Sequence, residues 1–358
     1  MSDFIVIGGG IAGISAAARL SEHGVVTVLE QEEALGYHAS GRSAAMFAPG
    51  YGAPANVALN LASAEYHHEA NGGYLSPRGF MLLAGAHEAE AFSADVADLG
   101  LRELTTDDAL SRVPILNPDR FSLAAIDEDA LDLDTDRMIQ DFAKVVRAAG
   151  GQVLTRQTVT AITRVDGQWQ VRCGDAMYEA PKLVNAAGPW VDHIAKLAGI
   201  RPIGIRPLRR SMARLPAPGG HDVTGWPMIM GVGESWYAKP DAGKLLVSPA
   251  DEDLVEPHDA WADDMVLAEG LARYEEFVTE PVTRIESNWA GLRSFAPDKL
   301  LVLGPDPDEP SFIWSAGQGG YGFQTAPAAS QLVADLAVGR APTLAPDVVA
   351  ALTPARLR

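Results

Sequence analysis

Hydrophobic and polar positions change period several times along the chain, and the changes mark its elements. The apolar run FIVI meets three glycines and then the Ala-rich stretch IAGISAAARL, which predicts a buried strand turning directly into a helix; VVTVLE follows as a second buried strand. Residues 54–70 have helical character, and SPRGFMLLAG (76–85) reads as a strand after a turn. The segment 86–131 is acidic and mixed, with helical patches such as HEAEAFSADVADLG. Asp134 or Thr135 is placed to cap a helix through RMIQDFAKVVRAAG that Gly150 ends.

From residue 151 the period becomes two. A strand and a meander are predicted, with turns at Asp166-Gly167 and Cys173-Gly174, returning to a strand that ends at Gly188. Antiparallel β-structure is expected over 205–250, where Trp226, Trp236 and Tyr237 supply strand-favouring bulk, and a helix over 259–276. The strand FIWSAG, the glycine-rich turn GQGGYG and a helix from about Gln324 to Leu336 complete the pattern. No internal repeat or low-complexity tract interrupts it.

Composition narrows the class. With 358 residues, 47% hydrophobic and 21% charged, the chain has ordinary globular make-up and length for two domains. Its formal charge of −19 disfavours nucleic acid and anionic membrane surfaces as partners. The single cysteine, Cys173, excludes an intrachain disulfide and is expected at a buried apolar position. The N-terminus lacks the basic region of a signal peptide, and no apolar run reaches the ~18 to 20 residues of a membrane span, so a cytoplasmic enzyme is expected.

Gly8, Gly10 and Gly13 carry the first chemical signal. Between a strand and a helix, the first serves the tight turn, the second the approach of backbone to a pyrophosphate, and the third close helix–strand packing. The helix N-terminus at Ile11 and Ala12 then presents N–H groups to phosphate. Glu30, closing the second strand beside Gln31, suits the hydroxyls of an adenosine ribose. The N-terminus of the last helix is a second potential anion site. No convincing His or acidic metal cluster is present; His38 is expected to support a loop, and His67 and His68 to point to different helix faces.

The order of IGGGIAG, LEQ, GYHASGRSAA, LVNAAGPWVD, WAGLRSFAPD and GQGGYGFQTAPA resembles the FAD-dependent D-amino-acid oxidase family, particularly its D-arginine dehydrogenase-like branch. The resemblance implies an α/β, Rossmann-like FAD-binding domain interleaved with an antiparallel-sheet α+β substrate domain. The expected boundaries are 1–75, 137–207 and 290–358 for the first, and 76–136 and 208–289 for the second. It implies that Ser40, Gly41, Arg42 and Ser43 line the FAD, that Val159 contacts the adenine side, and that Gly188 closes the second flavin strand. Gly319, Gly320, Tyr321, Gly322 and Gln324 would approach the flavin ring. FAD is expected to be non-covalent, because Cys173 lies far from the motifs that carry attachment.

The same resemblance places a carboxylate clamp at Arg210 and Arg293, the latter also beside the cofactor, with Tyr51 and Tyr237 adding phenolic hydrogen bonds. A guanidinium suits this task by its bidentate fork and fixed charge. Gly50 and Gly52 flank Tyr51, a composition able to move as a lid. Two departures bear on substrate: where the branch carries a glutamate this chain has Phe80, and where it carries a histidine, Met46. Losing the carboxylate removes a cation's partner, while burial against Phe gains ~1.5 to 3 kcal/mol for an apolar group. The implied reaction is oxidation of D-amino acids, apolar or aromatic, to imino acids that water hydrolyses to 2-oxo acids and ammonia. Oxidation of a 2-hydroxy acid or secondary amine, and a flavin-binding protein without turnover, stay open, and no electron acceptor or general base is assigned.

Overall fold

A computed structural model describes residues 2–358. The apolar runs Phe4–Ile7 and Val26–Leu29 are fully buried parallel neighbours in register Phe4↔Val26. They sit inside a six-stranded sheet ordered Val302–Pro305, Phe312–Ala316, Lys182–Asn185, Phe4–Ile7, Val26–Leu29, Gln152–Leu154. Only the first of these runs antiparallel to its neighbour. Three separated stretches of chain therefore supply one sheet. The helices Ile11–Leu20, Pro54–Glu69, Thr135–Ala148 and Gly322–Val338 share a core with its Phe4, Val6, Val26 and Val28. The opposite core takes Ile5 and Ile7 together with the meander, including Trp169, Val171 and Cys173. Cys173 is buried as expected, and burial pushes its thiol up to about 11.

The second sheet runs Asp253–Leu254, Arg206–Leu215, Lys244–Ser248, Tyr237–Asp241, Met228–Gly231, Phe80–Ala84, Leu123–Asp127, Arg102–Leu104, and Ser287–Phe295 also pairs with Arg206–Leu215. It is not wholly antiparallel. Met228–Gly231 and Phe80–Ala84 run parallel, since they come from distant stretches of chain and no hairpin joins them. The nine-pair ladder from Arg206↔Phe295 to Arg214↔Ser287 passes through the expected boundaries at 207/208 and 289/290, so β-structure is continuous there.

Local expectations meet specific departures. Asp134 caps the helix Thr135–Ala148, its carboxylate accepting from the Arg137 N–H at 3.1 Å, and Gly150 takes φ +81° beyond it. Asp166 and Gly167 form a turn with both φ positive, whereas the next turn falls at Gly174 and Asp175, one residue later than expected, because Cys173 pairs with Ala176. Trp226 and Trp236 lie outside the strands and fill the core beneath the second sheet. The helix expected from 259 starts at Asp264, where the Asp263 carboxylate accepts from the Met265 and Val266 N–H groups. The 86–131 segment also contributes Arg102–Leu104, Leu123–Asp127 and Leu131–Leu133, strands too short and acidic to stand out. No helix among the described residues is long and apolar enough to cross a membrane.

Candidate flavin and substrate cleft

The strand–helix turn is set by backbone contact. Gly8 takes φ +109°, and a Cβ there would lie 2.4 Å from the Ala186 carbonyl oxygen; one on Gly13 would lie 1.9 Å from the Gly8 carbonyl oxygen. Only hydrogen fits at either place. Gly13 thus acts by packing and stands behind the cleft wall, which Gly8, Gly10, Ile11 and Ala12 form. Ser40 Oγ accepts from the Ile11 N–H at 3.0 Å, joining the flavin loop to the helix start. Glu30 is buried with both oxygens oriented by backbone: the Gly9 N–H donates to Oε2 at 2.6 Å and the Glu32 N–H to Oε1 at 2.8 Å. No cation pairs with it among the described residues, so its remaining lone pairs suit a neutral diol, the chemistry of a ribose.

The loop after Glu30 is held by its own polar groups. Arg42 Nη1 donates to the carbonyls of Ala260 and Ala290 at 2.8 and 2.9 Å, and Nη2 meets Asp259 at 2.5 Å. Its guanidinium therefore anchors the loop, and its contribution to the wall comes from the rest of the residue. Gly41 is likewise structural, because a Cβ there would come within 2.5 Å of the Gly36 carbonyl oxygen. His38 supports the loop as expected, with Nε2 2.9 Å from Glu32 Oε1. Ser43, Gln31, Val159 and Gly188 reach the wall.

The last helix begins earlier than expected, at Gly322, where a Cβ would pack 3.2 Å from Ile11 Cγ2; the two helix starts are adjacent. Pro327 lacks an N–H and interrupts this helix's ladder. Side chains of the helix Pro54–Glu69 repair it: Ser63 Oγ accepts from the Ala328 N–H at 3.1 Å, and His67 Nε2 donates to the Gln324 carbonyl at 2.8 Å. Burial pushes His67 down to about 4, which keeps it neutral, while His68 is exposed. Gln324 Oε1 in turn accepts from the Ala48 N–H. Gly319 and Gly320 pass so close to Phe295 and Arg293 that a Cβ on Gly320 would lie 3.2 Å from Arg293 Cζ. Tyr321 stands behind the wall and packs on Tyr51 at 5.4 Å between ring centroids.

Strand register assembles the other end. Leu208 pairs with Arg293 and Arg210 with Gly291, so the two arginines are diagonal neighbours on one face of the ladder. Following that parity across the sheet, Met212, Tyr237, Met230, Met228, Phe80 and Asp127 share the face, while Ala213, Val247, Ala238 and Ile229 turn to the core behind. All six, with Met46, line a cleft of about 550 Å³ that also touches Gly8, Glu30 and Gly320. Lys239 on the same face pairs with Asp132 and donates to the Ala45 carbonyl, tying this sheet to the flavin loop.

The residues expected to form a carboxylate clamp are already engaged by protein carboxylates. Arg210 is 8% exposed; its Nε donates to the Asp251 carbonyl at 2.9 Å and its Nη2 to Glu252 at 3.1 Å. Its buried Nη1 has no hydrogen-bond partner among the described residues. Arg293 Nη1 lies 3.8 Å from the same Glu252. Tyr51 donates its hydroxyl to Glu234 at 2.5 Å, and burial above all, then the Glu234 charge, pushes its phenol well up, so it stays a donor. The glycine-flanked loop around it is held by Asn60, which donates to the carbonyls of Pro49 and Tyr51.

Reading the sequence missed Glu234, Asp127 and the methionines 212, 228 and 230. The alternation in MIM at 228–230 was available as a signal; Gly231 and Gly233 announce a turn at Glu234, but nothing local shows that it faces the cleft.

Comparison with known proteins follows the same lines. A bovine (Bos taurus) FAD-dependent oxidoreductase domain-containing protein 1 is 23% identical over 94% of this chain and 81% of its own. Glycine oxidase of Pseudomonas putida is 24% identical, covering 96% of each chain. The match to a further curated relative takes in 87% of this chain and 49% of that protein. Among solved structures, L-proline dehydrogenase from P. horikoshii superposes with a TM-score of 0.83 at 23% identity, over 99% of this chain and 97% of that one. Residues 3–336 match the family described as FAD dependent oxidoreductase (DAO), and the chain belongs to that family of FAD-dependent enzymes.

Proposed function

We propose that the chain oxidises the Cα–N bond of a small amino acid, with D-amino acids bearing apolar or aromatic side chains as the favoured class. Bound FAD supplies the acceptor for the hydride that leaves Cα. The protein's part is to hold the substrate so that this hydrogen faces the ring, where positioning removes much of the barrier. Arg293, against Gly320, and Arg210 take the carboxylate and Tyr237 donates to it; Tyr51 donates to it when its single hydroxyl proton turns from Glu234. Phe80, Met46 and the three methionines receive the side chain; methionine adapts to irregular apolar shapes. Water then hydrolyses the released imino acid to a 2-oxo acid and ammonia.

The observation that carries this reading is Arg210, which lines a cleft continuous with the nucleotide fingerprint and keeps a buried Nη1 without a hydrogen-bond acceptor among the described residues. A buried donor left unsatisfied has a strong requirement for a hydrogen-bond acceptor, which a ligand carboxylate can supply. A second reading, oxidation of a secondary amino acid, is favoured by the likeness to a proline dehydrogenase.

Anaerobic mixing of the FAD-loaded protein with D-, L- and N-methyl amino acids and 2-hydroxy acids, followed by flavin absorbance, separates these. Bleaching by apolar D-amino acids is the expected result, and bleaching only by N-alkyl amino acids selects the second reading. A response to hydroxy acids alone overturns both, and no response to any of them leaves a flavin-binding protein without turnover. FAD is held non-covalently in this proposal: Cys173 lies under the meander, so acid denaturation is expected to release all the flavin into the supernatant.

A further inference from the structure

We propose that Glu234 is a charge selector in the substrate clamp, taking the ammonium of a zwitterionic substrate and turning away ligands that carry a carboxylate alone. The inference rests on the carboxylate-and-amine reading above and adds a residue that decides which carboxylates enter.

Glu234 is fixed in place. It ends the short turn Val232–Glu234 between Met228–Gly231 and Tyr237–Asp241, and both Gly233 and Glu234 are left-handed, at φ +64° and +51°. A glutamate in that region is strained, and the turn is held by the Gly233 N–H, which donates to Asp95 Oδ2 at 2.8 Å. The carboxylate points at the clamp. Oε1 accepts from the Tyr51 hydroxyl, while Oε2 lies 3.8 Å from Arg210 Nη1, too far to satisfy that donor. Glu252 approaches the two arginines without lining the cleft.

Two guanidinium groups thus face two carboxylates before any ligand arrives. A bare carboxylate reaching Arg210 Nη1 brings a further negative charge beside Glu234. A zwitterion reaching the same donor brings its own ammonium, which Glu234 can accept from. One side chain therefore opposes the first ligand and favours the second, and selectivity is the difference between these effects.

A pair of matched probes tests this. Pivalate and 2-methylalanine differ by a methyl in place of an ammonium, and neither has an α-hydrogen to be oxidised. Titration of the FAD-loaded protein is followed by flavin absorbance and by calorimetry. Wild type is expected to bind 2-methylalanine over pivalate. In Glu234→Gln, pivalate is expected to bind roughly tenfold tighter and 2-methylalanine roughly tenfold weaker, the scale of one charge-assisted hydrogen bond. Glu234→Ala must move both in the same senses, and Glu234→Asp must keep the wild-type order. Parallel changes for the two ligands, or none, overturn the selector while leaving the clamp standing. Failure of 2-methylalanine to bind wild type, with pivalate failing to bind both wild type and Glu234→Gln, overturns the clamp reading and the selector together.

Discussion

Gly8, Gly13 and Glu30 belong to one strand–helix–strand unit, and each acts on a neighbour within that unit or on the adjoining strand. Tyr51, Arg210, Glu234 and Arg293 come from four separate segments and meet only in the folded chain. The contrast is physical. A phosphate site can be made from backbone N–H groups and missing side chains, which local sequence dictates. A substrate site is made from side-chain charges whose partners are chosen by the tertiary structure, so a residue type states what a group can do but not what already occupies it.

The sharpest way to break this comparison is at Gly13. Valine there collides with the Gly8 carbonyl, a backbone atom with no freedom to move, and the cost should exceed the ~1–3 kcal/mol typical of overpacking. Loss of bound flavin with reduced soluble yield is expected, read as the flavin-to-protein absorbance ratio. A Gly13→Val protein that keeps full flavin would show that close packing does not define the nucleotide end.

At the substrate end, Arg293→Ala should leave flavin bound while slowing its reduction. Its pair with Glu252 is 3.8 Å long and partly exposed, so that loss costs little, about 0–1 kcal/mol, and the effect falls on the ligand carboxylate left without its guanidinium. Arg293→Lys should fall between, since a point charge replaces a planar fork. Stopped-flow reduction rates measure both. Flavin loss in Arg293→Ala would join the two ends into one unit.

These differences explain what could be read in advance. The buried strands Phe4–Ile7 and Val26–Leu29, the glycine turn between strand and helix, the cap at Asp134 and the buried state of Cys173 follow from local periodicity and composition. Arg210 and Arg293 were singled out by the resemblance alone, and the ladder accounts for their proximity. Arg42 lines the cleft, but nothing local shows that its guanidinium is taken by Asp259 and the carbonyls of Ala260 and Ala290. Glu234 was missed for the same reason. A surface turn and a substrate-facing turn have the same composition until the opposite wall is placed.

His67 sharpens the comparison at intermediate scale, because it repairs the helix that both ends share. Its folded-state value of about 4 lies below the ordinary 6.5, so its contribution is fully present above pH 6.5 and is lost as pH falls towards 4. The maximum is roughly 3 kcal/mol from a shift of about two units or more. His67→Gln keeps an N–H donor without the titration. Its thermal midpoint should therefore fall less steeply between pH 6.5 and 4.5 than that of wild type; equal slopes would assign the acid sensitivity elsewhere.

The smallest effect is expected where the cleft is most apolar. Phe80→Glu places a carboxylate on the side-chain wall, which should shift the kcat/KM ratio towards D-arginine and D-lysine and away from apolar D-amino acids. An unpaired buried charge is costly when an apolar group binds, whereas a cation neutralises it. Yet Phe80 pairs directly with Asp127 across the ladder, and Asp127 also lines the cleft. Like charges opposite one another on a sheet repel, so the new glutamate starts destabilised and part of any cation's attraction already exists in wild type. The ratio should therefore move by only about tenfold, ~1.4 kcal/mol. Phe80→Glu combined with Asp127→Asn should move it further from the Asp127→Asn baseline than Phe80→Glu alone moves it from wild type. If neither variant changes the ratio, Phe80 packs the sheet and the methionine wall alone reads the side chain.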